Sequence, residues 1–221
     1  MKHATRLLFL ALTLALGGCL PVSQNPLSPP DTAVADPRLA GVWYGKSGDD
    51  TIFLHFVAGK GAQMDVVEVD HQKSGDAHTN LYTMFPSQLD GTRYMNIREK
   101  KGAAKTYYLA RYRIETGGAL SIWLMSEKAA SKAINNDKLA GKINVKDTGD
   151  SATERDVTIT SSTEHLAAFV KKSDPEILFA EKFGTFKKLT LPTLDAAPEA
   201  KPPAKTAKPK TPSKSKKKLA D

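Results

Sequence analysis

Cys19 carries the only thiol of the 221-residue chain, and it closes the first nineteen residues after Leu16-Gly17-Gly18. Lys2, His3 and Arg6 give that segment a basic head, and residues 7–16 (LLFLALTLAL) give it an apolar core. A basic head, a short apolar core and small residues before a cleavage point describe a secretory signal. The run is too short to cross the ~30 Å hydrocarbon core of a bilayer as a helix. The other concentration of reactive charge is at the far end. Lys201, Lys205, Lys208, Lys210, Lys214, Lys216, Lys217 and Lys218 face only Asp195, Glu199 and Asp221, for a net charge of +5. Spaced by Pro and Ala, these lysines form an open polycation that attracts polyanions, with an affinity that falls as salt rises. A purely solubilising tail has the same composition.

Between the two ends the chemistry is sparser. Gly45-Lys46-Ser47 ends like a phosphate-binding loop, but the required earlier glycine is Ala40 and the residues that follow read as a strand. His71 and His78 flank a loop with Asp70 and Asp76. Imidazole and carboxylate suit zinc, yet the spacing is not that of a closed zinc site, and a polar hairpin loop accounts for the same residues. No metal or cofactor is implied. His55 falls in an apolar strand and His165 in a late helix, both read as structural or exposed. There is no Gly-x-Ser-x-Gly elbow, and the carboxylates cannot be paired from sequence alone. Arg111 and Arg113, with Tyr107 and Tyr94, offer a face for an anion, although a sheet face of mixed polarity explains them equally.

The elements that must position these groups are mostly strands. Segments 41–46, 51–58, 63–70, 78–85, 92–99, 105–115 and 119–125 are divided by Gly- and Asp-rich turns, among them Asp90-Gly91 and Thr116-Gly117-Gly118. Tyr108, Ala110, Tyr112 and Ile114 alternate with Tyr107, Leu109, Arg111 and Arg113, and Leu120, Ile122 and Leu124 share a face. Spacing near ten residues predicts a mainly β fold, with α+β as the alternative: an antiparallel meander closing as a barrel or sandwich of about seven to nine strands. Residues 127–135 have helical composition, 157–160 read as a strand, and Ser162 or Thr163 caps a helix to about 172 that Asp174-Pro175 ends. Residues 177–186 supply a closing strand.

Composition divides the chain into a signal at 1–18, Cys19 with a Pro/Ser-rich flexible tether over 19–37, one globular domain over 38–192, and an unstructured Lys/Pro/Ala tail over 193–221. Of the formal net charge of +8, Lys2 and Arg6 take two units and the tail five, so the domain itself is near neutral. The high pI belongs to the tail and does not indicate a basic binding face on the domain.

Leu16-Gly17-Gly18-Cys19 resembles the lipobox of bacterial lipoproteins. The resemblance implies that the Cys19 thiol takes a diacylglyceryl group, that cleavage falls between Gly18 and Cys19, and that the new amino terminus is acylated with a palmitate-like chain. Several chains on one residue suffice for lasting membrane attachment, at ~0.8 kcal/mol per buried CH₂. Leu20 is not the aspartate that retains enteric lipoproteins in the inner membrane, so the resemblance implies the periplasmic face of the outer membrane. Once Cys19 is acylated, no thiol remains for nucleophilic chemistry or disulfides, and the core alone must stabilise the domain.

Gly41-Val42-Trp43 resembles the Gly-x-Trp element that opens lipocalin and calycin barrels, in which a later arginine stacks on the tryptophan. Arg111 and Arg113 lie in no matching motif, and the last strand offers Lys187 and Lys188 instead. The resemblance implies a ligand cavity near Trp43. Strand preference for aromatics explains Trp43 without one.

The expectation is therefore a lipid-anchored envelope protein with a non-catalytic binding or structural role. Its tail contacts an anionic partner (peptidoglycan, lipopolysaccharide or anionic lipid), its domain an envelope protein or small apolar ligand, and nucleic acid is not expected after export. Trp43, Tyr107, Arg111 and Arg113 are the ligand-facing choices. A lipocalin-like carrier is the first alternative, and an envelope hydrolase with an unrecognised site the second.

Overall fold

The structure is a computed structural model, which describes residues 20–101, 105–147 and 153–190. Their elements, in chain order, begin with β1 (Val22–Ser23), β2 (Gly41–Ser47), β3 (Asp50–Ala58), β4 (Met64–His71), β5 (Ala77–Leu89) and β6 (Thr92–Glu99). They continue with β7 (Tyr107–Ile114), β8 (Leu120–Leu124), helix α1 (Glu127–Asn135), β9 (Gly141–Asp147), β10 (Thr153–Ile159), α2 (Thr163–Lys172), α3 (Pro175–Leu178) and β11 (Glu181–Lys188). All lie in one unit ending at Leu189.

Strands β2 to β8 form an antiparallel meander. β11 then inserts between β8 and β2, and β6 pairs with β7, so eight strands close into a barrel. An eight-stranded barrel has an interior that side chains either fill or leave open for one small ligand. Local sequence sets the hairpins. Asp90 and Gly91 both have positive φ (47° and 82°), the two-residue turn whose twist matches the flanking strands, and Leu89 pairs with Thr92 across it. β5 continues through Pro86, past the end expected at residue 85. Pro86 pairs with Met95 beyond the last β4 pairing, Met64 with Met84, so its missing N–H faces no strand on that side.

Alternation sorts the side chains into two cores. Trp43, Leu54, Phe56, Val66, Met84, Met95, Tyr112, Ile122 and Phe186 point into the barrel. Leu89, Tyr94 and Leu109 point outward, where α1, α2, α3, β9 and β10 cover them with Ala130, Leu166, Val170, Phe179, Val157 and Ile159. Ser126 caps α1 and Ser162 caps α2 through hydrogen bonds from the Ala129 and His165 amides. Burying each large apolar side chain contributes roughly 1.5–3 kcal/mol, so the outer layer is a second core rather than decoration. The final expected strand is divided in two: Asp174 caps the short α3, and only from Glu181 does the chain enter the sheet.

The segment expected as a tether is packed as a strap. Val22 and Ser23 pair antiparallel with Tyr108 and Tyr107 of β7 and parallel with β10. Leu27 is buried in the outer core, and its amide donates to the Asn96 side chain at 2.7 Å. Asn96, itself fully buried, donates to the Phe85 carbonyl and to Ser87, while Ser28 meets Ser87 at 2.6 Å. Asp36 and Leu39 then bury the rest of the strap against the barrel. The segment has no apolar period because it is held by isolated side chains, each tied to residues far away in sequence. The expected signal, Cys19 and the eight tail lysines lie outside the described residues.

Candidate functional site

The barrel interior is packed in one part and open in another. In the packed part, the Trp43 indole N–H donates to the Leu39 carbonyl at 2.7 Å, and the Lys188 ammonium stands 5.3 Å from the ring centre. Lys188 and Lys187 of the same strand are both exposed, and Lys188 also donates to the Arg38 carbonyl at 3.0 Å. Gly45 faces Phe186: a Cβ there would lie 2.8 Å from the Phe186 ring and 2.5 Å from the Thr185 carbonyl. Beside these groups the buried Asp36 carboxylate binds Arg38 and Arg93 and accepts from the Tyr112 hydroxyl at 3.0 Å. Burial alone would raise the Asp36 pKa. The Arg38 and Tyr112 hydrogen bonds and the charges of Arg93 and Arg38 outweigh it and hold the carboxyl at about 2.

The open part is a cavity of about 740 Å³, inside the ~300–1,000 Å³ range of ligand pockets. Its walls are chiefly apolar: Leu54, Phe56, Val66, Met84, Met95, Ile97, Ile122, Leu124 and Phe183 from the barrel, with Leu20 and Val22 from the strap. Trp43, Leu39, Tyr112, Leu120 and Phe186 contribute nothing to the wall. β8 ends at Leu124, opposite Ala110, and β1 takes over the edge of β7. The wall therefore continues sideways into β1, β10 and β9, which add Asn144, Asp156 and Thr158. Leu20, Asn80 and Asn144 are exposed lining residues, so the cavity opens to solvent beside them.

Polar groups gather on the wall that runs from β4 to β7. Glu68 accepts from the Asn80 side chain at 3.4 Å, and Tyr108 donates to Glu99 at 3.1 Å. Burial first, then the charge and hydrogen bond of Glu68 and the charges of Glu99 and Tyr108, hold the Tyr82 phenol well above the usual tyrosine range. Such a wall can hold an apolar chain and offer hydrogen bonds to its head.

The four residues expected to face a ligand are not brought together here. Trp43 pairs in register with the lining residue Leu54 but is enclosed in the packed part. Tyr107, Arg111 and Arg113 occupy the outward positions of β7, since their odd-numbered alternation places them away from Tyr108 and Tyr112. Tyr107 packs edge-on against Phe85 with Arg98 over its ring. Arg111 makes a two-pronged pair with Glu176 of α3 and lies 4.4 Å from the Trp123 ring. Its hydrogen bond is the main force holding the Glu176 carboxyl below the usual range. Arg113 binds Glu115 at 2.9 Å and lies 5.6 Å from the Trp123 ring centre. The Arg111–Glu176 pair ties α3 to the barrel. Asp70 and His78 are cross-strand partners and His71 pairs with Ala77, and among the described residues no three His, Cys, Asp or Glu side chains converge as a metal site. His55 and His165 are exposed.

The residues that sequence reading missed are the lining residues of β3 to β6. Their signal was the alternation of Leu54 with Phe56, Val66 with Glu68, Tyr82 with Met84, and Met95 with Ile97. The protein is thus defined by its architecture, as a closed β-barrel with an apolar cavity. Compared with protein-family models, curated proteins and solved structures, the chain matches none.

Proposed function

We propose that the protein is a non-catalytic, lipid-anchored envelope protein whose barrel holds one apolar chain, in the manner of a lipocalin-like carrier. The observation that carries this reading is the 740 Å³ apolar cavity opening beside Leu20. Lys188 over Trp43 adds to the calycin likeness. The anchor follows from the lipobox resemblance at Cys19, which is peptide-bonded to Leu20. Because Leu20 lines the cavity and the strap is packed from Val22 onward, acyl chains on Cys19 would hold the opening toward the membrane with no spacer between. A chain leaving the outer membrane's periplasmic leaflet would then enter the barrel directly. The basic tail supplies a separate contact with anionic peptidoglycan or lipopolysaccharide.

The test uses a neutral acyl probe, N-dodecyl dansylamide, titrated into the purified full chain. Saturable one-to-one binding is expected, and Ile97→Trp and Leu124→Trp, which fill the cavity from two walls, should abolish it while retaining the wild-type circular dichroism. Binding that survives both folded variants refutes the cavity as the site. For the anchor, Cys19→Ser should leave the protein unprocessed or move it to soluble fractions; processed, membrane-bound Cys19→Ser protein refutes it.

A further inference from the structure

We propose that the cavity selects an amphiphile with a neutral or cationic head and rejects the carboxylate head of a free fatty acid, an inference that rests on the cavity reading above. The charged side chains in the described wall are Glu68 and Asp156, and none of the described lining residues is Lys, Arg or His. A third carboxylate, Glu99, accepts from the hydroxyl of the lining residue Tyr108. The two cations that flank Glu99 in sequence are committed elsewhere. Lys100 is paired with Asp65 at 2.9 Å, and Arg98 lies over the Tyr107 ring on the outward side of β6. Burial first, and then the charges of Glu68 and Glu99, oppose ionisation of the Tyr82 phenol beside them.

An apolar tail lying between Leu54, Met84 and Ile122 places its head beside Glu68 and Asn80. An ammonium or amide N–H there meets a carboxylate acceptor, and an amide oxygen meets the Asn80 side-chain donor. A fatty-acid carboxylate meets like charge where partial desolvation strengthens the repulsion. The polarity of the site is thus the reverse of one that uses a lysine or arginine to capture an anionic head.

The experiment displaces N-dodecyl dansylamide from the full chain at pH 7.5 with dodecylamine, dodecanamide and dodecanoate, each below its micelle concentration. The amine and the amide should bind about tenfold tighter than dodecanoate. Glu68→Gln, which keeps shape and removes charge, should shrink the amine-to-carboxylate ratio to roughly twofold, and Glu99→Gln should move it in the same direction. Dodecanoate binding as tightly as dodecylamine overturns the inference and leaves the cavity reading standing. So does a ratio unchanged in both variants. If none of the three displaces the probe and the probe itself does not saturate, the cavity reading fails and this inference falls with it.

Discussion

The substitution Asp36→Asn tests how the strap is locked to the barrel. The Asp36 side chain is 2 % exposed and is shared by Arg93, Arg38 and the Tyr112 hydroxyl. Its carboxyl titrates at about 2 in the folded protein against 3.8 ordinarily. One pKa unit corresponds to about 1.4 kcal/mol, so the depression contributes roughly 2 kcal/mol of stability at neutral pH. Because the folded pKa is depressed, that contribution is fully present above the unfolded value. It is lost as pH falls from about 4 to about 2. The amide introduced by Asp36→Asn keeps the size and one acceptor but cannot ionise. Urea unfolding of both proteins at pH 7, 5, 4, 3 and 2.5 should show the variant less stable by about 2 kcal/mol at pH 7 and 5. The gap should narrow below pH 4 and fall to about a third of its neutral value at pH 2.5. A gap that is independent of pH, or that widens on acidification, would refute the assignment of this stability to the Asp36 charge.

Other substitutions probe the remaining joints. Gly45→Ala places a methyl 2.5 Å from the Thr185 carbonyl and should cost about 2 kcal/mol or more, whereas Gly117→Ala, with no atom within 4 Å, should leave the melting temperature nearly unchanged. Asn96→Leu strands the buried Leu27 amide and removes the side-chain bond to Ser87; a loss of about 2–3 kcal/mol is expected, with faster hydrogen exchange at the Leu27 amide. Truncation after residue 194 removes the net +5 of the tail and should weaken sedimentation with peptidoglycan at low salt. Equal sedimentation of the two forms across a salt series would remove the tail from the account.

The strands were legible because local rules and the barrel agree. β6 has the expected bounds of 92–99, and α1 the expected 127–135 with Ser126 at its cap. Alternation in β7 correctly divided interior Tyr108, Ala110 and Tyr112 from exterior Leu109 and Arg111. β9 carries little apolar signal in its GKINVKD sequence, in which Ile143 packs against the outer core. The strap was misread because Leu27, Asn96 and Asp36 act singly, through partners dozens of residues away. The cavity was less legible still. Sequence alternation indicates that Val66, Met84 and Ile97 point inward, but whether eight strands of such residues fill the interior depends on their summed volume against the barrel's bore. Arg111 and Arg113, chosen as ligand-facing, lie outside the cavity wall for a related reason. An arginine pair on a sheet looks alike in sequence whether it awaits an anion or, as here, clamps Trp123 and Glu176.

The central claim is that an apolar chain occupies the barrel, and photocrosslinking locates such a chain directly. Dodecanamide carrying a diazirine near its methyl end, bound to the full chain and irradiated, should leave adducts on wall residues such as Met84, Met95, Ile97 and Ile122. Unlabelled dodecanamide should compete them away. A smaller groove between α1 and the α2–α3 segment, lined by Ala133, Phe169 and Ile177, is the alternative apolar surface. Adducts confined to that groove, or scattered over the exterior and insensitive to competitor, would contradict the account.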